Sequence, residues 1–274
     1  MIKEGEMNKK GISIAVIDQK GGVGKSTVSA NLACSLSLKE DRKILLVDMD
    51  PQAALSTAFG WNPDELEKTI YNVFFDSASI DSVLLHREDI NNVYLLPSNL
   101  QLSEGEVRLI GEIGREYFLK RAIDPVKSEY DYIIIDCPPS LSVLTMNALV
   151  AADYVLIPVA PDVLSLRGME NLIEYVIKVK NVINPKLEIL GIVVNMFDRR
   201  TLHAKEAKQV LMEEFGDQIR IFKTDIMYTT KVKDSYAAKK PVVLFDPNSE
   251  VAKQYLILTK EVEDAIEQES TIGS

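Results

Sequence analysis

The sequence predicts an α/β protein with a doubly wound, mostly parallel sheet and helices on both faces, and three observations carry that expectation. Apolar runs of strand length alternate with stretches of helical periodicity along the whole chain. The first run, Ile12 to Ile17, leads into the glycine-dense turn Lys20-Gly21-Gly22-Val23-Gly24-Lys25-Ser26-Thr27, and a helix reads from Val28 to Leu38. Two later runs, Lys43 to Asp48 and Tyr132 to Asp136, each end in an aspartate, which puts carboxylates at the C-terminal edge where open parallel sheets carry their sites.

Composition bounds the reading. The chain has 274 residues, of which 46% are hydrophobic and 26% charged, enough to bury roughly 75% of its unfolded surface. One domain over 1–274 is expected, with 1–10 a flexible tail. No apolar run approaches the ~18 residues of a membrane helix, and Met1 to Lys10 is charged, so a cytoplasmic protein without membrane association is expected. Cys34 and Cys137 lie in no metal or redox spacing and read as small buried apolar side chains. His86 and His203 lack the neighbours of a metal site. A net charge of −10 argues against nucleic-acid binding by the whole surface and leaves room for a local basic patch.

The glycine turn has one well-understood physical use, the holding of nucleotide phosphates. Its glycines reach backbone angles closed to other residues and turn successive N–H groups inward as an anion nest. Lys25 supplies a point charge to the outer phosphates, and Ser26 offers a hydroxyl to Mg2+ at the positive end of the following helix. The general pattern asks for a glycine at position 19, where this chain has Gln19. A loop written Gln-Lys-Gly-Gly-Val-Gly-Lys-Ser-Thr resembles instead the deviant Walker loop of the ParA/MinD ATPases. That resemblance gives Lys20 the role of reaching across a dimer to the partner's nucleotide, and names Gly21, Gly22, Val23, Gly24 and Thr27 with Lys25 and Ser26 as the ATP cradle.

The second run ends in Asp48-Met49-Asp50-Pro51-Gln52, and the D-x-D-P-Q element resembles ParA and Soj proteins. By resemblance Asp50 positions the attacking water and Asp48 lies close to the magnesium shell. Asp50 with Pro51 also fits a helix start, and both readings can hold together. Farther on, a short helix is expected from Thr69 to Phe75, a cap at Ser79, a strand from Val93 to Pro97, and a helix from the capping box Ser103-x-x-Glu106 to about Ile123. Trp61, Phe74 and Phe75 read as core.

Tyr132 to Asp136 reads as a strand closed by a metal-shell carboxylate opposite Ser26. The string Asp136-Cys137-Pro138-Pro139-Ser140-Leu141 is similar to the switch segment of ParA proteins. Tyr154 to Val159 is the next strand, and the helix after Ser165 aligns Met169, Leu172, Ile173, Val176 and Ile177 on one face. Ile189 to Val194 follows, and Asn195 begins a string resembling the family segment whose asparagine contacts adenine. Met227 and Tyr236 stand where family members often have proline. A last helix puts Val251, Tyr255, Leu258 and Val262 on one side.

Three motif blocks in matching order make the ParA/Soj resemblance, within the P-loop NTPases, specific over most of the chain. It implies an ATPase that forms an ATP-sandwich dimer, binds DNA without sequence preference, and hydrolyses ATP when stimulated by a ParB-like centromere-binding partner, as in plasmid or chromosome segregation. ATP-bound protein would associate with the nucleoid. The first strand begins only about a dozen residues in, resembling the shorter ParA proteins without an operator-binding domain. Between Lys223 and Pro241 stand five lysines against Asp225 and Asp234. With Arg199 and Arg200, the residues Lys231, Lys233, Lys239 and Lys240 are the expected DNA-binding surface, a solvated helix face being the alternative. A MinD-like membrane ATPase would need a basic amphipathic C-terminal helix, whereas Glu261 to Glu269 is acidic. A cluster-bearing reductase would need paired cysteines that the chain lacks. A ligase of small carboxylic substrates is disfavoured only by Asp-Pro-Gln, and a ParA-like positioner of non-DNA cargo is the nearest rival.

Overall fold

The structure, a computed structural model, describes residues 11–39 and 42–272, so the expected tail at 1–10 lies outside the described residues. Seven strands form one sheet: β1 (Ile12–Val16), β2 (Ile44–Asp48), β3 (Leu85–His86), β4 (Val93–Leu96), β5 (Tyr132–Asp136), β6 (Tyr154–Val159) and β7 (Glu188–Val194). Their order is β3-β4-β2-β5-β1-β6-β7, parallel throughout except for the two-residue edge strand β3. Strand β1 sits between β5 and β6 with the order of succession reversing beside it, which is where an open α/β sheet leaves a crevice.

Alternation of side chains along the strands feeds two cores. Ile14 and Val16 of β1, Leu46 of β2 and Ile134 of β5 point to one face. They pack there against α1 (Lys25–Ser37), α2 (Ala54–Ala58), α10 (Val242–Phe245) and α11 (Glu250–Ile272). Ala15, Val47, Ile133, Ile135 and Ile157 point to the other face. The elements covering it are α3 (Ile70–Phe75), α4 (Gln101–Leu109), α5 (Phe118–Ile123), α6 (Val143–Ala151), α7 (Val163–Val182) and α8 (Leu202–Phe215). Both faces of the sheet are therefore covered, as the near-continuous apolar strands require.

The last helix buries Val251, Tyr255, Leu258 and Val262 as expected. Cys34 and Cys137 are both buried and free, and Phe74 is core, while Phe75 and Trp61 are half-buried against it. Three expectations need correction. The helix expected from Ser103 to Ile123 starts earlier, at Gln101, so Ser103 lies inside it; the Asn99 side chain accepts from the Gln101 N–H instead. It is then broken after Leu109, because Gly114 takes a left-handed turn and buried Asn147 on α6 holds the break, donating to the Arg115 carbonyl and accepting from the Leu119 N–H. Ser79 precedes only a short 3-10 turn and its side chain caps nothing. On α7 the buried stripe continues to Val179, leaving Ile177 exposed. No helix among the described residues is long and apolar enough to cross a membrane.

Candidate active site

The C-terminal ends of β1, β2 and β5 converge on the loop that opens α1, because Asp48 and Asp136 stand in register on adjacent strands and Val16 pairs with Asp136 from the other side. Of the loop glycines, Gly22 (φ +78°) and Gly24 (φ +89°) take left-handed backbone. Gly24 has a second constraint, since a Cβ there would lie 2.3 Å from the Asn195 Nδ2. That amide donates to the Val23 carbonyl at 2.7 Å, and Asn195 is only 2% exposed. Asn195 thus braces the phosphate loop from behind, from the end of β7.

Lys25 is buried, and its Nζ donates to the Lys20 carbonyl at 3.1 Å, which folds the loop around the ammonium. The Lys20 side chain points away from it. Its Nζ donates to both carboxylate oxygens of Asp162, at 2.8 and 2.7 Å. Asp162 follows β6 and carried no motif signal. Asp18 closes the start of the loop by accepting from the Lys20 N–H, and burial raises its pKa above the ordinary carboxylate range.

Asp136 is fully buried. Ser29 donates to its Oδ1 at 3.0 Å and the Ser26 hydroxyl lies beside it, both from the first turns of α1. Its Oδ2 has no hydrogen-bond partner although it is buried. An orphaned carboxylate oxygen next to a helix-start hydroxyl fits a hard divalent cation whose remaining ligands are phosphate and water. Among the described residues no group of three or more His, Cys, Asp or Glu is placed to hold a metal ion. Ser26 and Asp136 are the residues that would hold Mg2+, and the ion would neutralise charge on the phosphates.

Asp48 is differently engaged. Its Oδ2 accepts from the N–H and hydroxyl of Ser56, at 2.9 and 2.8 Å, and its Oδ1 accepts from the Asp50 N–H at 3.1 Å. Burial, reinforced by the Asp136 charge, pushes the Asp48 carboxyl up to about 8. Burial also pushes Asp136 up to about 7, against the Ser26 and Ser29 hydroxyls and the nearby Lys25 charge. Asp48 therefore shapes the turn that presents Asp50. That turn is tight: Asp50 accepts from the Gln52 N–H through its side chain and from the Ala53 N–H through its carbonyl. Ala53 itself sits at φ +51°, a backbone region that is unfavourable for alanine and marks a loop held under constraint.

Tyr236 enters from α9 (Thr230–Ala237). Its hydroxyl donates to the Ala54 carbonyl at 3.4 Å and lies beside the Thr27 side chain. Burial, then the Asp136 charge, raises its pKa. Sequence reasoning marked Tyr236 only as a replaced proline and missed Ser29, Ser56 and Asp162. Ser29 was legible in principle, lying one helical turn beyond Ser26, whereas Ser56 and Asp162 are brought in only by the tertiary fold.

The six basic residues expected at a DNA surface divide in two. Arg200 is bound to Asp198 through Nε and Nη2, Lys231 to Asp246 at 2.5 Å and Lys240 to Asp89 at 3.4 Å. Arg199, Lys233 and Lys239 are exposed and make no ion pair among the described residues. The loop holding Arg199 and Arg200 lies beside the approach to α9, since Phe197 and Met227 form a parallel bridge and Tyr228 N–H donates to the Phe197 carbonyl.

A phosphate loop at a sheet switch point, backed by a strand-end carboxylate with one free oxygen, defines a P-loop nucleotide hydrolase. Comparison with known proteins narrows the class. Residues 11–189 match the family described as AAA domain. The sporulation initiation inhibitor protein Soj of Bacillus subtilis is 38% identical over 91% of this chain and 97% of its own. The chromosome partitioning protein ParA of Myxococcus xanthus is also 38% identical, over 91% and 87%. Among solved structures, cobyrinic acid a,c-diamide synthase from Mycobacterium smegmatis with bound ATP analog and magnesium superposes with a TM-score of 0.80 at 31% identity, covering 91% of this chain and 93% of that one. The chain belongs to the ParA/Soj family of deviant Walker-loop partition ATPases. It is an ATPase, and ATP and Mg2+ are its nucleotide and metal.

Proposed function

We propose that this ATPase is a DNA-partition switch: with ATP it forms a sandwich dimer and binds DNA without sequence preference, and a ParB-like centromere-binding partner stimulates the hydrolysis that releases it. The observation that carries the reading is the arrangement of charge around one loop. Lys25 is buried and turned into the nest, as a lysine facing the outer phosphates of its own nucleotide must be. Lys20 is turned outward and half-exposed, as a lysine serving a partner's nucleotide must be. In this reading Gly21, Gly22, Val23, Gly24 and Thr27 cradle the phosphates, Asp50 orients the attacking water, Ser26 and Asp136 hold the metal with Asp48 behind them, and Asn195, which braces the loop through Val23, contacts the adenine. The whole chain acts as one domain in the cytoplasm, on the nucleoid when ATP is bound.

The 38% identity with the chromosome partitioning protein of Myxococcus xanthus supports DNA as the cargo. A second reading has one observation in its favour, the 31% identity to an amide-forming synthase whose structure holds an ATP analog. A synthase would turn over ATP only with a small carboxylic acceptor. ATP hydrolysis measured with duplex DNA, with a cognate ParB-type protein and without either tests the choice: stimulation by the partner supports the switch, and a rate indifferent to both supports the synthase.

A further inference from the structure

We propose that Tyr236 is a positioning residue that ties the basic helix α9 to the phosphate loop, so that the setting of α9 follows the state of the nucleotide site. In its consequence for DNA this rests on the proposed function, whereas the coupling stands on contacts within the chain.

Helix α9 has two unlike faces. Lys231, Lys233 and Asp234 are exposed, while Ser235 is buried and Tyr236 is turned inward. Both ends are fixed: the Thr229 side chain accepts from the Lys231 N–H, and past the C-terminus the Lys239 carbonyl accepts from Arg87 Nη1 at 2.6 Å. The same Arg87 nitrogen donates to the Phe59 carbonyl at 3.0 Å, which joins the end of α9 to the end of α2. Between these anchors the Tyr236 hydroxyl meets the two segments that flank the reacting centre. Thr27 follows Ser26 at the start of α1, and Ala54 opens α2 four residues after Asp50.

Packing alone does not call for that hydroxyl, because a phenylalanine ring would fill the same apolar space. A half-buried hydroxyl that shares its surroundings with Asp48 and Asp136 costs free energy unless its partner is in place, so it favours one setting of α9 relative to α2. Lys233 lies one helical turn before Tyr236, so a shift about the tyrosine moves it directly. The tyrosine thereby makes the outward basic face answerable to the loop.

The test compares the parent with Tyr236→Phe, which keeps the ring and removes only the hydroxyl. Amide hydrogen exchange across 230–237 is measured with and without a non-hydrolysable ATP analogue and Mg2+, beside analogue affinity by calorimetry and duplex-DNA affinity by fluorescence anisotropy. The expected result is slowed exchange of α9 in the parent on adding the analogue. In Tyr236→Phe the analogue binds as in the parent, but its effect on α9 exchange and its gain in DNA affinity fall about tenfold, roughly the worth of one hydrogen bond. Three results overturn the proposal: α9 exchange indifferent to the analogue in the parent, an equal response in the variant with only a lower melting temperature, or loss of analogue binding itself. A parent that binds no DNA with ATP would sink the partition reading, and the exchange comparison would still decide on the coupling.

Discussion

Asp48 and Asp136 stand side by side at the ends of β2 and β5, paired in register and both fully buried; burial raises the pKa of each, and the Asp136 charge raises that of Asp48 further. Two such carboxylates favour protonation on folding. Their folded pKa values lie above the unfolded one, so the stability they contribute is complete below about pH 4 and is lost as pH rises through about 7 to 8. Without nucleotide and magnesium, the melting temperature should therefore fall between about pH 6 and about pH 8.5, and Asp48→Asn should flatten that fall. ATP with Mg2+ should restore stability at the higher pH. Scanning calorimetry across the range checks this, and a melting temperature that rises toward pH 8.5 in the metal-free parent would refute it.

The two loop lysines should separate on mutation. Lys25→Ala removes the buried charge inside the nest and should abolish ATP binding measured by calorimetry. Lys20→Ala should leave ATP bound but slow hydrolysis, because a cation at a phosphoryl transition state can be worth ~10³ to 10⁵ in rate. Equal ATP affinity in both variants would mean that the loop is misassigned.

The basic surface should be uneven. Arg199, Lys233 and Lys239 carry charge that no carboxylate answers among the described residues, whereas Arg200, Lys231 and Lys240 are already paired. Lys233→Ala should thus weaken ATP-dependent DNA binding more than Arg200→Ala. If a dimer contacts about four phosphates, affinity should drop about a hundredfold between roughly 50 and 200 mM salt. Anisotropy titrations with unrelated duplexes would expose a sequence preference or a flat salt response, either of which counts against the surface.

At the opposite edge of the sheet, Lys127 is buried and donates to Ser13 Oγ at 2.8 Å and to Asp153 at 2.6 Å. Despite burial, that lysine and Ser13 hold the Asp153 carboxyl below its ordinary range. Lys127→Met should cost about 1 to 2 kcal/mol of stability, because the Asp153 carboxylate loses its cation but is a third exposed and keeps its bonds from Ser13, and should leave nucleotide affinity unchanged. Denaturant titration reads the first and calorimetry the second.

Most of the strands and the phosphate loop were legible because their signals are local: a four- to six-residue apolar run, a glycine cluster, an aspartate at a strand end. The middle of the chain was not. Ser103 and Glu106 have capping-box spacing, yet the helix starts at Gln101, and nothing near Gly114 announces that Asn147 of a later helix will stabilise the break. Asp162 and Tyr236 reach the site across 142 and 182 residues of sequence, separations at which no pattern survives. The sign of a charge was legible, but its pairing was not, so the basic patch read as six equal residues.

In the proposed switch, binding and hydrolysis of ATP are separate events joined by dimerisation, and Asp50 is needed for the second alone. Ser26 and Asp136 can hold the metal without it, and the turn engages only Oδ1 of the Asp50 carboxylate, through the Gln52 N–H. The most direct test is the mass of Asp50→Ala in ATP and Mg2+ by light scattering coupled to size exclusion. A stable dimer of twice the chain mass that persists for hours is the predicted result. A variant that binds ATP and stays monomeric, or that returns to monomer as fast as the parent, would contradict it.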